Sequence, residues 1–140
     1  MKEKLQNFGL LLLRVALGVG FMYHGWRKIG VTGVSDFADK SVAPMGLPMP
    51  LLFAWLAALG EFVGGLLNVL GLWTRFAAFI TACVVGTAFF VHHADDPFSK
   101  KELALAYLVV SVVIILLGPG RYSLDGGSKP KSSSSKSKKR

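Results

Sequence analysis

Cysteine and charge are what this sequence has least of. A single cysteine, Cys83, stands among 140 residues, so neither a disulfide scaffold nor a Cys-x-x-Cys dithiol relay can be assembled within the chain. Charged residues make up 17% of the sequence and hydrophobic ones 52%, whereas a soluble domain carries about 25% charged residues. That balance excludes a disordered chain and argues against a water-soluble globule. Acidic residues number 8 against 16 basic ones, for a formal net charge of +8. Six of the basic residues fall between Lys129 and Arg140, and the body has no basic surface fit for a duplex, so no nucleic-acid partner is expected. A phosphate loop and a dinucleotide fingerprint are also missing.

What is present is four apolar blocks. They run from about Phe8 to Ile29, Leu51 to Leu72, Arg75 to His93 and Leu103 to Leu117. A helix needs about 20 residues to cross a hydrocarbon core roughly 30 Å thick, and the last block reaches that length when its helix starts near Ser99. The expected fold is an all-α integral membrane protein, a four-transmembrane-helix bundle over residues 1–125. Its spans are expected at about 6–29, 51–72, 75–93 and 99–118, followed by a disordered basic tail over 126–140. Arg14 interrupts the first block and no small-residue cleavage site follows it, which argues for a permanent helix rather than a signal peptide. Lys2, Lys4, Arg75, Arg121 and the tail lysines collect on one side of such a bundle. This predicts both termini in the cytoplasm and a multi-pass protein of a bacterial inner membrane. Membrane lipid is then a partner by necessity, and the remaining apolar surface is compatible with a homo-oligomer.

Several joints have a mechanical reading. Trp73-Thr74-Arg75 is a tight hairpin, with Gly71 ending one helix and Thr74 capping the next. Ser99-x-x-Glu102 spells a capping box, Pro50 suits a first helical turn, and Gly118-Pro119-Gly120 stops the last helix. Val34, Phe37, Ala38 and Val42 share one side of a short helix in the longest connection. Arg121 is expected to serve carbonyls at the end of the last helix, and Asp125 to contact Arg75 or Arg121.

The polar residues inside the apolar blocks are the candidates for function. Counted at 1.5 Å per residue, Arg14 and Glu61 lie roughly 13 Å and roughly 16 Å from the same boundary. A lone charge at such depth costs about 2.5–3.5 kcal/mol, so the two are expected to pair, either as a ligand or proton site or as a clamp between helices. Glu61 belongs to a stripe with Gly60, Gly64, Gly65 and Asn68, and Gly60-x-x-x-Gly64 suits close helix packing. His24, His92, His93 and Glu102 have depths that would let them share a vestibule at the opposite boundary. Histidines there can bind a quinone carbonyl, move a proton, or simply end a helix. No His-x-x-x-His or His-x-x-Glu spacing occurs, so no metal site is expected. The ligand-binding candidates are therefore Arg14, His24, Glu61, Asn68, His92 and Glu102. The structural candidates are Gly60, Gly64, Gly65, Arg75, Ser99, Arg121 and Asp125.

These residues carry a family resemblance. Leu13-Arg14, Phe21-Met22-Tyr23-His24-Gly25 and Lys28 look like the first helix of the DoxX family of small four-span bacterial membrane proteins. Glu61, Gly64-Gly65 and Leu70-Gly71-Leu72-Trp73-Thr74-Arg75 resemble its second helix and hairpin. His92 and Glu102 resemble positions around its third loop, and Gly118-Pro119-Gly120-Arg121-Tyr122-Ser123-Leu124-Asp125 its terminal signature. The match spans roughly Leu10 to Asp125. The resemblance implies an accessory subunit of a membrane redox or oxidative-stress system with redox-protein partners. It also implies quinone as a ligand, because the family name is tied to a subunit of a thiosulfate:quinone oxidoreductase. It supplies no catalytic residues. The other reading is a non-enzymatic membrane scaffold or small-molecule carrier in which an Arg14–Glu61 pair is architectural.

Overall fold

The structure is a computed structural model that describes residues 1–127. From residue 128 onward, the tail expected to be disordered lies outside the described residues. Helix α1 spans Lys2–Trp26 and runs on through a π-helical turn at Arg27–Val31. A short helix α2, Val34–Phe37, continues through a π-helical turn at Ala38–Val42 and a 3-10 turn at Ala43–Met45. Helix α3 covers Pro50–Leu70, with Pro50 in its first turn, where the missing proline N–H has no helical partner to lose. Helix α4, Thr74–Thr87, extends through Ala88–His92. Helix α5 is Phe98–Leu117, and a final turn, α6, is Leu124–Gly127.

The long helices form a ring in which α1 packs on α3, α3 on α4, α4 on α5, and α5 back on α1. Glycine sets the closest of these contacts. A Cβ on Gly18 would stand 2.5 Å from the Gly65 carbonyl oxygen, and one on Gly25 would stand 2.6 Å from the Phe62 nitrogen. Backbone therefore meets backbone between α1 and α3. Gly60 and Gly64 turn the other way, toward Ile80 and Thr81 of α4. The expected small-residue stripe is thus divided between two neighbours. Leu17, Phe21, Ala78, Val85 and Ile114 form the inner core. Val34, Ala38 and Val42 lie buried over Ala54, folding the long connection across one end of the ring. Large apolar side chains such as Leu12, Trp55, Phe79 and Leu116 remain exposed around the outside, as lipid-facing residues do.

The number of spans corrects the sequence expectation. Among the described residues, three helices are long and apolar enough to cross a membrane: Lys2–Val31, Pro50–Leu70 and Thr74–His92. Helix α5 does not join them, because Lys100, Lys101 and Glu102 occupy its first turns. The apolar remainder, Leu103 to Leu117, covers only about 22 Å at 1.5 Å per residue, short of a core roughly 30 Å thick. The protein is all-α with three candidate spans, and the assignment of both termini to the cytoplasm, which counted four crossings, loses its basis. The expected capping box is absent as well. Pro97 is the N-cap residue of α5 and no side chain caps that end, so Ser99 lies inside the first turn.

Candidate functional site

The Gly18–Gly65 and Gly25–Phe62 contacts fix the register of α1 against α3, and the register decides which polar residues meet. Arg14 stands opposite Asn68 and Gly71. Glu61 stands opposite the Met22–Gly25 stretch, seven residues from Asn68 and so about 10 Å away along α3. Arg14 and Glu61 therefore do not pair. Glu61 forms an ion pair with Lys28, whose side chain slants back along α1 toward it as helical side chains do. The Lys28 ammonium also lies over the Phe37 ring, 5.1 Å from its centroid. The carboxylate side chain is only 9% exposed. At this depth, a bound cation offsets the cost of keeping a charge out of water.

This ion pair sits in the wall of a half-open cavity of about 590 Å³. α1 contributes Phe21, His24 and Lys28, and the long connection closes one end with Phe37, Val42, Met45 and Leu47. α3 and α4 supply mostly apolar side chains, and α5 adds Lys100, Leu103, Ala104 and Tyr107. The His24 ring meets Tyr107 edge-on at 5.9 Å. His92 and His93 lie ring against ring at 4.5 Å, and His92 also reaches the backbone of Ser41. His93 Nδ1 is 2.6 Å from an Asp96 carboxylate oxygen. That contact, reinforced by Lys100, holds the Asp96 carboxyl below the usual carboxylate range. The result is an apolar chamber with hydrogen-bonding imidazoles and one ion pair on its wall.

A second polar centre lies at the hairpin end. Arg14 is fully buried and donates to the carbonyl oxygens of Asn68, at 3.2 Å, and Tyr122. Asn68 Nδ2 donates in turn to the Gly64 carbonyl at 2.9 Å. Gly71 ends α3 at φ 67°, a left-handed conformation that glycine adopts readily, and its missing side chain leaves room for the guanidinium. The segment after α5 folds across this end. Asp125 accepts from the Trp73 N–H at 3.0 Å and, at 2.8 Å each, from the N–H and hydroxyl of Thr74. Asp125 therefore caps α4 from 51 residues away, and it does so where Trp73 holds φ 46°. Burial works to raise the Asp125 carboxyl. The Thr74 and Trp73 hydrogen bonds and the Arg14 charge outweigh it and keep the group below its ordinary range.

Residues 9–94, well over half the chain, match the DoxX family. The chain belongs to that family. It is 33% identical over 128 residues to "Inner membrane protein YqjF" of Escherichia coli, covering 88% of this chain and 94% of that one. "Inner membrane protein YphA" of the same organism is 31% identical, with 83% and 87% covered. "Putative oxidoreductase CatD" of Bacillus subtilis is 32% identical, with 85% and 86% covered. No solved structure matches. The DoxX match takes in Arg14, His24, Lys28, Glu61, Asn68 and His92, whereas Tyr107 and Asp125 lie beyond it.

In this DoxX-family chain the six ligand-binding candidates separate by place. His24, Glu61 and His92 line the cavity. Arg14 and Asn68 belong to the buried knot at the hairpin end. Glu102 is exposed and does not line the cavity. Among the structural candidates, Arg75 reaches the Leu116 carbonyl at 3.5 Å, taking the role expected of Arg121, which instead lies 3.9 Å from Glu3. Asp125 contacts Trp73 and Thr74 rather than either arginine. Sequence reasoning missed Lys28 and Tyr107 as cavity residues. Lys28 follows His24 by one helical turn on the face that meets α3, a spacing that points to it once Gly18 and Gly65 are aligned. Nothing in the local sequence distinguishes Tyr107 from its apolar neighbours.

Proposed function

We propose that the cavity binds a lipid-soluble quinone, and that the protein serves as the ligand-binding accessory subunit of a bacterial inner-membrane redox or oxidative-stress system. One observation carries this reading. An apolar chamber of about 590 Å³ has the Lys28–Glu61 pair, His24 and His92 gathered on its wall. That volume falls in the range of small-molecule sites, roughly 300–1,000 Å³, and the mixture of apolar surface with a few convergent polar groups is the pattern such sites share. A quinone ring is flat and apolar apart from its carbonyl oxygens, which accept hydrogen bonds. Lys28 and the imidazoles are donors suited to one such oxygen, while Glu61 holds Lys28 in position. The inner-membrane names of two relatives and the oxidoreductase name of a third agree with this assignment.

The test is native mass spectrometry of protein gently solubilised from quinone-containing membranes. Stoichiometric quinone is expected in the wild type, with loss in folded Glu61→Gln and His24→Ala proteins. Retention of phospholipid alone would sink the reading and leave the scaffold or carrier role. That alternative has its own support in Arg14, whose hydrogen bonds all go to backbone carbonyls and so hold helices together.

A further inference from the structure

The cavity is half-open, and two of the helices that wall it, α3 and α4, have the length and apolarity to cross a membrane. α3 and α4 touch at Gly60, where a Cβ would stand 3.3 Å from the Ile80 methyl and 3.5 Å from that of Val84. Cys83 of α4, level with that contact, and Phe53 and Leu56 of α3 and Thr87 of α4, beyond it and away from the hairpin, all line the cavity. All four are also exposed, Leu56 by 57%. A side chain that lines a half-open chamber and stays exposed lies toward its mouth. Helical spacing supports the placement. Ile80 and Val84 face α3, and Cys83 and Thr87 follow them around α4 toward the outer surface.

Two features fit this mouth to hydrocarbon. Its flanking helices are candidate spans, and a gap between two helices that cross a bilayer meets lipid. Its one hydroxyl, that of Thr87, is spent on the Cys83 carbonyl at 2.9 Å, so the rim offers lipid no unsatisfied hydroxyl donor. The ion pair and His24 belong to the chamber wall, and Leu56 and Cys83 to the rim. We propose that this mouth is a lateral portal, through which the occupant enters from the bilayer and in which its hydrocarbon tail remains. The site would then select a tailed amphiphile with a compact polar head. Only the identity of that head rests on the quinone reading above; the tail follows from the portal.

Cys83 is the sole cysteine, and it stands exposed at the rim, so its alkylation reports on the portal without a background. The protein in phosphatidylcholine vesicles is treated with a lipid-soluble maleimide in three arms: an isoprenoid-tailed quinone, the same ring without a tail, and a long-chain fatty alcohol. At saturation the tailed quinone is expected to slow alkylation about tenfold, a factor worth 1.4 kcal/mol. The tailless ring should leave the rate unchanged while native mass spectrometry shows it retained. Leu56→Trp, at a rim position that is 57% exposed, should slow exchange of the tailed quinone more than that of the tailless ring. Equal protection by both quinones, or none by a retained tailed quinone, overturns the portal. Should neither quinone be retained, the head-group reading fails by itself and the alcohol arm decides the portal. Protection of Cys83 by the alcohol then sustains it, and unchanged alkylation overturns it.

Discussion

Asp125 and the Lys28–Glu61 pair show how single side chains set conditions on the whole. The Asp125 carboxylate accepts three hydrogen bonds at the start of α4, and its folded pKa is lowered. Its stabilising effect is therefore present above the ordinary carboxylate value, about 3.9, and is lost as pH falls through the lower folded value. Thermal unfolding in detergent should show wild type losing stability relative to Asp125→Asn on acidification. Near neutral pH the variant should be less stable by about 1 kcal/mol, the usual worth of a helix cap. A gap between the two proteins that stays constant down to the acid limit would refute this. For the ion pair, Lys28→Met and Glu61→Gln should each destabilise, and the double variant should lose less than the sum. A coupling of about 0.5–3 kcal/mol is expected for residues in direct contact; strict additivity in a denaturation cycle would remove the pair as a stabilising unit. That Arg14 and Glu61 each needed a partner was legible from depth in the sequence. Which partner each finds was not, because the register of α1 on α3 comes from glycine contacts between helices and not from counting inward from each helix end.

At the scale of elements, glycines act according to the helix face they occupy. Gly65 lies against the backbone of α1, a Cβ there standing 2.6 Å from the Gly18 oxygen and 2.8 Å from the Met22 nitrogen. Backbone cannot yield, so Gly65→Ala should cost about 1–3 kcal/mol, as overpacking does. Gly60 faces only the Ile80 and Val84 methyls, which can rotate away, so Gly60→Ala should change the unfolding midpoint much less. Comparable losses at both sites would mean that the two faces are not distinguished as described. Sequence pattern located these helices well, through long apolar runs and the stops at Gly71 and Gly118. It misjudged the start of α5. Ser99 and Glu102 have capping-box spacing, yet Pro97 lies two residues earlier in an extended conformation, φ −62° and ψ 152°, and so takes the N-cap position first.

Among the described residues, the buried charged side chains Arg14 and Glu61 mark two centres: a tight hydrogen-bonded knot at the hairpin end and an open chamber toward the long connection. In the knot, Arg14 and Asn68 are buried and donate to backbone carbonyls; the chamber keeps its ion pair and imidazoles in reach of a ligand. Membrane character was legible from composition. The count of spans was not, because α5 is long enough as a helix but carries three charges in its first turns, where Lys100 meets Asp96 and Lys101 reaches the Ala94 carbonyl and the Phe89 ring.

The Asp125 cap also imposes an order on biosynthesis. A ribosome adding about 5–20 residues per second needs roughly 3–10 s to pass from Thr74 to Asp125. During that interval the nascent α4 lacks its cap, and Arg14 lacks its Tyr122 acceptor. Closure of the knot thus registers that the last long helix has been made. Chains released at Gly120 should be cleared faster than chains released at Gly127 in a pulse-chase experiment, and equal lifetimes would show that the cell does not read this latch.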